Sequence, residues 1–167
     1  MTAAVEFGDV DGDGDLDIIV GNFGQDNQLL INNGVGAFTS STSFPGDTSH
    51  TRGVSFGDVD GDGDLDIIVG NFYQANQLLI NNGAGAYTSS TSFPGDISDT
   101  HILAFGDVDG DGDLDVIVGN ENQANELLIN NGAGAYTSST SLPEDIEDPP
   151  SSGAYGWMTL GRRTDRP

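Results

Sequence analysis

Short apolar runs alternate with turn-forming residues along most of the chain. In the first 49 residues, β-branched and aliphatic residues gather at Ala3–Phe7, Ile18–Asn22 and Gln28–Asn32, and a weaker alternation follows at Ala37–Thr42. Glycine, asparagine and aspartate separate these runs, which is typical of β-strands joined by turns. No window shows the apolar period of about 3.6 residues that marks an amphipathic helix. The pattern therefore predicts four short strands in this first unit.

The same unit recurs with a period of 49 residues. Residues 9–47 and 58–96 are identical at 35 of 39 positions, and residues 58–96 and 107–145 at 33 of 39. Four strands in about 40–50 residues is the size of one β-propeller blade. We therefore predict an all-β fold of three tandem four-stranded blades. Their predicted bounds are 2–50, 51–99 and 100–148, followed by a Pro/Ser-rich linker and disordered tail over 149–167.

A nine-residue acidic segment, Asp-Val-Asp-Gly-Asp-Gly-Asp-Leu-Asp, lies between the first two predicted strands of every unit, at 9–17, 58–66 and 107–115. Its five carboxylates repel one another, and each like-charge pair at a protein surface costs on the order of one to a few kcal/mol. The segment offers only oxygen ligands, and its glycines permit a tight curl. About six or seven oxygen donors form the shell that calcium prefers. We expect one calcium ion in each loop and three per chain.

The alternation within the loop predicts a role for each aspartate. Side chains at positions 1, 3 and 5 converge if the backbone wraps around an ion, position 9 adds a further carboxylate, and position 7 presents its main-chain carbonyl. The predicted metal ligands are therefore Asp9, Asp11, Asp13, Asp15 and Asp17, then Asp58, Asp60, Asp62, Asp64 and Asp66, then Asp107, Asp109, Asp111, Asp113 and Asp115. An EF-hand is excluded because its position 12 is a glutamate flanked by helices, whereas a strand with Val20, Val69 or Val118 follows here.

The strand and loop pattern resembles a known repeat. Phe7–Asn22 followed by Leu29–Gly34 is similar to the FG-GAP/VCBS repeat of integrin α-subunit propellers and of many secreted or surface proteins. The resemblance covers residues 2 to about 145. It implies that the acidic loop joins the first two strands of a blade and binds calcium through the aspartates named above. It also implies a role in extracellular recognition or adhesion.

Three units are fewer than the roughly four to eight blades of a closed propeller. The end units then leave strand edges and apolar faces uncovered. The chain is a piece of a longer propeller, or half of a six-bladed ring made by two copies, or an open array of three units. We expect a calcium-dependent homodimer, because the last unit of one copy can dock on the first unit of another as an internal neighbour does.

Charge and composition exclude several partners. The chain has 27 acidic and four basic residues and a net charge of −23, which three calcium ions would bring to −17. Such a surface repels nucleic acid and anionic lipid, and no apolar run is long enough for membrane insertion. The absence of cysteine excludes disulfides. We expect an extracellular or cell-surface protein. Because no signal peptide precedes the first strand, we expect the sequence to be trimmed, misassigned or recombinant at its start.

The differences between the units concentrate in the first strand and in the loop after the second strand. They include Arg52, Phe72, Tyr73, His101 and Glu121. These residues form either a variable recognition surface or a set of tolerant positions that have drifted.

The sequence does not favour catalysis. The two histidines, His50 and His101, occupy different places in the repeat, and no Gly-x-Ser-x-Gly motif accompanies them. Calcium coordination accounts for the paired acids. We expect a calcium-binding propeller module that is not an enzyme and that recognises a protein or glycan ligand. The alternative is a calcium-stabilised carbohydrate-binding or accessory module of a polysaccharide-active enzyme, and a purely structural spacer is a third interpretation.

Overall fold

The computed structural model describes residues 1–41, 45, 50–90, 93–94, 97–139 and 142, and the predicted linker and tail over 149–167 lie outside them. The described residues form strands and turns, which confirms the all-β prediction. No helix in these ranges is long and apolar enough to span a membrane. The strands are β1 (Thr2–Gly8), β2 (Asp17–Asn22), β3 (Gln28–Asn32), β4 (Phe38–Ser40), β5 (Thr51–Gly57), β6 (Asp66–Ala75), β7 (Gln77–Asn81), β8 (Tyr87–Ser89), β9 (Ile97–Gly106), β10 (Asp115–Asn120), β11 (Glu126–Asn130) and β12 (Tyr136–Ser139).

Each unit contains four antiparallel strands that pair in chain order. The first unit comprises β1 to β4, the second β5 to β8 and the third β9 to β12. Val5 lies opposite Val20 in the first strand pair, and the same register recurs 49 residues later with Val54 opposite Val69. The structure therefore confirms four-stranded units in which the acidic loop joins the first two strands.

Main-chain pairing also joins successive units. β6 continues beyond its own sheet and pairs with the start of β9, with Phe72 opposite Asp99 and Ala75 opposite Ile97. The strands of the second and third units therefore belong to one eight-stranded sheet. Phe23 and His50 form the equivalent bridge between the first and second units. β9 begins at Ile97, whereas the predicted third unit starts at residue 100. The strand is longer because its first residues pair with β6.

The hydrophobic core lies between units. Ile67 and Val69 of β6 pack in the cluster that the second unit shares with the first, whereas Ile68 packs in the cluster shared with the third. This alternation follows from the two-residue period of a strand. All three side chains are fully buried, and each such burial stabilises the fold by roughly 1.5–3 kcal/mol. Folding of one unit is therefore coupled to packing against its neighbours.

The two outer units each leave one face uncovered. Val10 and Val59 are 2% and 1% exposed, but Val108 at the same place in the third unit is 57% exposed. On the opposite side, Tyr87 is 5% exposed, whereas Phe38 at the same place in the first unit is 40% exposed. Because the local sequences are nearly the same, this exposure reflects the lack of a neighbouring unit on that side within the described part of the chain.

Buried asparagines connect the second and third units to the acidic loop of the preceding unit. Asn81 Nδ2 donates to the Val10 carbonyl at 2.8 Å, and Asn130 Nδ2 donates to the Val59 carbonyl at 2.7 Å. Asn32 in the first unit donates to the Leu16 carbonyl of its own unit, as Asn81 also does to Leu65, and the described residues show no interunit bond from it. Each of these interunit bonds spans 71 residues of sequence, so the loops are held by tertiary as well as local contacts.

Candidate functional site

The acidic loops connect the first strand of each unit to the second, at residues 9–16, 58–65 and 107–114. Gly12 and Gly14 shape the first loop, with φ angles of 75° and 92°, and their counterparts in the other loops have similar angles. Glycine adopts this left-handed region at little steric cost. The glycine spacing therefore lets the backbone curl back on itself.

This curl gathers carboxylates in each loop. One oxygen each from Asp9, Asp11 and Asp13 lie within 4.8 Å of one another. Asp9 is held in place because its two oxygens accept the N–H groups of Gly12 at 2.8 Å and Gly14 at 2.9 Å. The corresponding group in the second loop is Asp58, Asp60 and Asp62. In the third loop the group is Asp107, Asp109 and Asp115, so the aspartate at position 9 takes the place of the one at position 5.

The aspartate at position 9 is buried in every loop, with Asp17 and Asp66 at 0% exposure and Asp115 at 1%. Asp66 accepts the N–H groups of Val59 at 3.0 Å and Asn81 at 2.8 Å, so its carboxylate ties the loop to β7. Burial raises the pKa of Asp66 to about 6, although these two N–H groups act in the opposite direction. The ion pairs found in the described residues do not include Asp66, so a bound cation would supply its missing countercharge.

The side chain at position 7 takes a different direction. The Asp15 N–H donates to Asp13 Oδ1 at 2.9 Å, while the Asp15 carboxylate lies against Gly34 in the β3–β4 turn. A side chain at Gly34 would overlap this carboxylate, and its φ of 77° also favours glycine. The same approach recurs at Asp64 with Gly83 and at Asp113 with Gly132. The main-chain carbonyl therefore remains the candidate ligand at position 7.

The electrostatics of the loops fit a hard cation. Desolvation and the neighbouring charge of Asp13 raise the pKa of Asp11, and desolvation together with Asp62 raises the pKa of Asp60. Both effects disfavour the ionised form unless a positive charge compensates it. Oxygen-only donors fit calcium, whereas zinc and copper sites normally include nitrogen or sulfur. The donor chemistry of the gathered residues therefore fits the predicted ion.

A second polar group, the β9 cluster, consists of Arg52, Phe72, Asp99, His101 and Glu121. His101 Nε2 lies 2.8 Å from Glu121 Oε2 and 3.3 Å from Asp99 Oδ1. The Arg52 guanidinium carbon lies 4.3 Å from the Phe72 ring centroid, which is cation–π distance. Four of the residues that vary between units therefore lie in one place.

Two further residues extend the β9 cluster. Tyr73, which also varies between units, contacts Phe72 edge-on with ring centroids 4.5 Å apart. Asp99 was not among the predicted surface residues, although its counterpart in the second unit, His50, differs from it. Extending the comparison to the residues just before the first predicted strand would have included it. Arg52 and His101 also line a cavity of about 480 Å³, together with Met1, Thr2, Ala3 and Phe23.

Four-stranded antiparallel units with an acidic loop between the first two strands define a β-propeller repeat protein. The sequence profile of the FG-GAP-like repeat matches the chain at residues 9–69, 58–118 and 107–161. The chain belongs to the FG-GAP-like repeat family, which confirms the resemblance seen in the sequence. A search of curated proteins gives no match.

The fold is also similar to that of a lectin from Agrocybe aegerita, whose structure concerns specific recognition of non-reducing terminal N-acetylglucosamine. The TM-score is 0.57 and the sequence identity is 24%. The similarity covers 80% of this chain but 36% of the lectin chain. This likeness supports the propeller-type fold, and the chain spans about a third of the lectin's length.

Proposed function

We propose that the chain is a calcium-binding β-propeller module that recognises a ligand outside the cell or at its surface, and that it is not an enzyme. The observation that carries the proposal is the gathering of three carboxylates within 4.8 Å in each of three identical loops. Membership of the FG-GAP-like repeat family supports it. The fifteen aspartates of these loops are the proposed ligand residues, and three calcium ions per chain are the proposed cofactor.

Charge repulsion explains why the loops need a cation. Two unit charges 4–5 Å apart repel by about 3–4 kcal/mol at an effective dielectric constant of about 20. Each group of three carboxylates contains three repelling pairs, and solvent screening reduces the repulsion at the exposed members of each group. One calcium ion turns the dominant local interaction from repulsion to attraction, and its binding is thereby coupled to folding.

Calcium titration of the chelator-treated chain tests this proposal. Calorimetry should give a stoichiometry near three, and the melting temperature should fall sharply in chelator. Magnesium serves as the control, because it demands near-octahedral geometry and releases its waters reluctantly, so it should restore much less stability. An identical melting temperature with and without chelator would contradict the proposal.

A carbohydrate ligand is the second candidate, as in a binding or accessory module of a polysaccharide-active enzyme. The likeness to a lectin favours it, as do Phe23 and Arg52 beside the 480 Å³ cavity, since ligand sites combine aromatic walls with a few polar groups. A glycan array in calcium tests this candidate. Saccharide binding that is lost in Phe23→Ala would support it, whereas an array without binding would favour a protein ligand.

We also propose that two copies associate into a six-unit ring. The third unit exposes Val108 at 57%, and the first unit exposes Phe7 at 60% and Leu16 at 56%. Between the second and third units, the counterparts of those last two residues, Phe105 and Leu114, lie close to the Gly57 backbone. The end faces therefore match the surfaces that meet inside the chain. Repulsion between two negative copies acts over only about 8 Å at physiological salt.

Light scattering in calcium tests the ring. The chain should have the mass of a dimer at micromolar concentration, and Val108→Asp should give a monomer with unchanged calcium stoichiometry. Asn122→Asp is the control, because it adds the same charge at an exposed loop residue. A monomeric wild-type chain in calcium would contradict the proposal.

A further inference from the structure

The β9 cluster contains a histidine nitrogen between two carboxylates, a donor set that the calcium loops lack. We propose that Asp99, His101 and Glu121 bind one divalent transition-metal ion of the zinc type. One ligand atom from each residue lies within 4.8 Å of the others. Calcium takes oxygen ligands, whereas zinc accepts imidazole nitrogen together with carboxylate oxygen. This site therefore selects a different ion from the acidic loops.

Main-chain pairing brings the three side chains together. The ladder between β9 and β10 shifts register beside His101, because Ile102 pairs with Gly119 while Thr100 pairs with Asn120. The same register shift occurs in the first and second units, so the repeat supplies this geometry and the third unit places ligand residues on it. Just beyond the ladder, the Glu121 N–H donates to the Asp99 carbonyl at 2.8 Å. The ligand set is thus built on paired strands.

His101 faces more polar neighbours than it can satisfy. Its Nε2 atom lies 2.8 Å from Glu121 Oε2, 3.3 Å from Asp99 Oδ1 and 2.6 Å from Arg52 Nη1. A neutral ring nitrogen either donates one proton or accepts one hydrogen bond. If it donates to a carboxylate, it opposes the Arg52 N–H, and if it accepts from Arg52, it repels both carboxylates. A metal ion bound to the Nε2 lone pair interacts favourably with both carboxylates at once.

Asp99 supplies a second and independent observation. Its side chain is 4% exposed. Its Oδ1 atom makes no hydrogen bond among the described residues, although Arg52 Nε and His101 Nε2 lie 3.9 Å and 3.3 Å away. A buried carboxylate oxygen in this state is costly, which is why such groups normally have a partner or a metal ion. The side chains of His101 and Glu121 are 38% and 52% exposed, so an ion can reach this oxygen from solvent.

The separations fit a small ion. Zinc–ligand bonds of about 2.0–2.2 Å place two tetrahedral ligand atoms roughly 3.4 Å apart, close to the 3.3 Å between His101 and Asp99. Glu121 Oε2 lies closer to His101 Nε2, at 2.8 Å, and this half-exposed side chain has room to move outward to the same separation. Arg52 competes with the metal, because its Nη1 atom lies 2.6 Å from His101 Nε2 and its Nε atom lies 3.9 Å from Asp99 Oδ1. Metal binding therefore requires this guanidinium to withdraw from both ligands. Three protein ligands leave one coordination position open to water or to a bound ligand.

The donor set belongs to the third unit alone. The equivalent residues are His50, Arg52 and Phe72 in the second unit and Met1, Ala3 and Phe23 in the first. The units are otherwise nearly identical, so this combination is not a property of the repeat. The site therefore distinguishes the third unit from the other two.

Cobalt titration of the full chain, with the loops saturated by calcium, tests the inference. Co²⁺ is the probe because its visible absorption reports its ligands, and Zn²⁺ should displace it. We expect one Co²⁺ per chain, loss of the absorption in His101→Ala, and no change in His50→Ala, which removes the other histidine. Arg52→Ala should tighten binding by at least about tenfold, because a positive charge about 5 Å from a divalent ion is removed.

Glu121→Gln is a second variant, in case His101→Ala fails to fold. Glutamine has nearly the same shape as glutamate, and residue 121 is half-exposed, so this change should not disturb folding. Loss of an outer-shell partner weakens metal binding by roughly 10–100-fold, and loss of a direct ligand should weaken Co²⁺ binding by at least as much. The calcium stoichiometry should stay the same. The inference is overturned if the wild-type chain and Arg52→Ala both lack the absorption. It is also overturned if His50→Ala removes the signal as fully as His101→Ala, or if Glu121→Gln binds like wild type. Calcium titration of the same samples tests the proposed function separately.

Discussion

Replacing Asn81 with alanine should weaken the contact between the first two units. Asn81 is 4% exposed, and its side-chain nitrogen donates to the Val10 carbonyl at 2.8 Å and to the Leu65 carbonyl at 3.2 Å. The first bond crosses between units, and Val10 is itself buried. Alanine leaves that carbonyl without its donor, and an unsatisfied buried acceptor costs about 1–3 kcal/mol.

Asn32 provides the matched control within the chain. It occupies the same place in the first unit, where its side-chain nitrogen donates to the Leu16 carbonyl at 3.1 Å and its oxygen accepts from the following turn. Asn32→Ala therefore removes the local bonds without an interunit bond to Val10. The difference between the two variants isolates the interunit term, which we expect to be about 1–3 kcal/mol. Asn130→Ala should cost less than Asn81→Ala, because the Val59 carbonyl that loses the Asn130 donor still accepts the Gly134 N–H at 3.1 Å.

Urea unfolding in saturating calcium measures the difference. The free energy of unfolding should fall more in Asn81→Ala than in Asn32→Ala, and for a chain of this size the melting temperatures should differ by roughly 2–4 °C per kcal/mol. Circular dichroism of the folded baseline checks that strand content is unchanged. Equal losses in the two variants would refute the reasoning, because they would leave no stabilising role for the bond between units.

Two further predictions concern the acidic loop and its hairpin. Asp13→Ala should abolish calcium binding in the first loop and reduce the calorimetric stoichiometry from three to two. Asp15→Asn should have a mild effect, since position 7 needs only its carbonyl. Equal loss in both variants would show that these roles are wrong. Gly34→Ala should destabilise the chain more than Gly36→Ala. Both glycines have φ near 77–78° and so incur similar strain of about 1–2 kcal/mol, but only Gly34 faces a carboxylate, and Gly36 has open space around it. Equal melting temperatures for the two glycine variants would contradict this packing argument.

Local sequence was sufficient to predict the strands and the loops. The apolar runs are short and end at turn residues, so Ile18–Asn22 and Gln28–Asn32 correspond to β2 and β3 within one residue. The tight curl of the loop could also be predicted from its glycines, because a left-handed φ leaves few alternatives to glycine. The clustering of Asp9, Asp11 and Asp13 followed from their alternation around that curl.

Contacts between distant parts of the chain decided the rest. Neither the pairing of β6 with β9 nor the bond from Asn81 to Val10 has a local signal, because each depends on how one unit stacks on another. The β9 cluster has the same origin, since Arg52 comes from the second unit and His101 from the third. Stacking also explains why Val10 and Val59 are 2% and 1% exposed while Val108, in an identical acidic loop, is 57% exposed. Identical local sequence determines the same strand and loop each time, but only a neighbouring unit removes its apolar side chains from water.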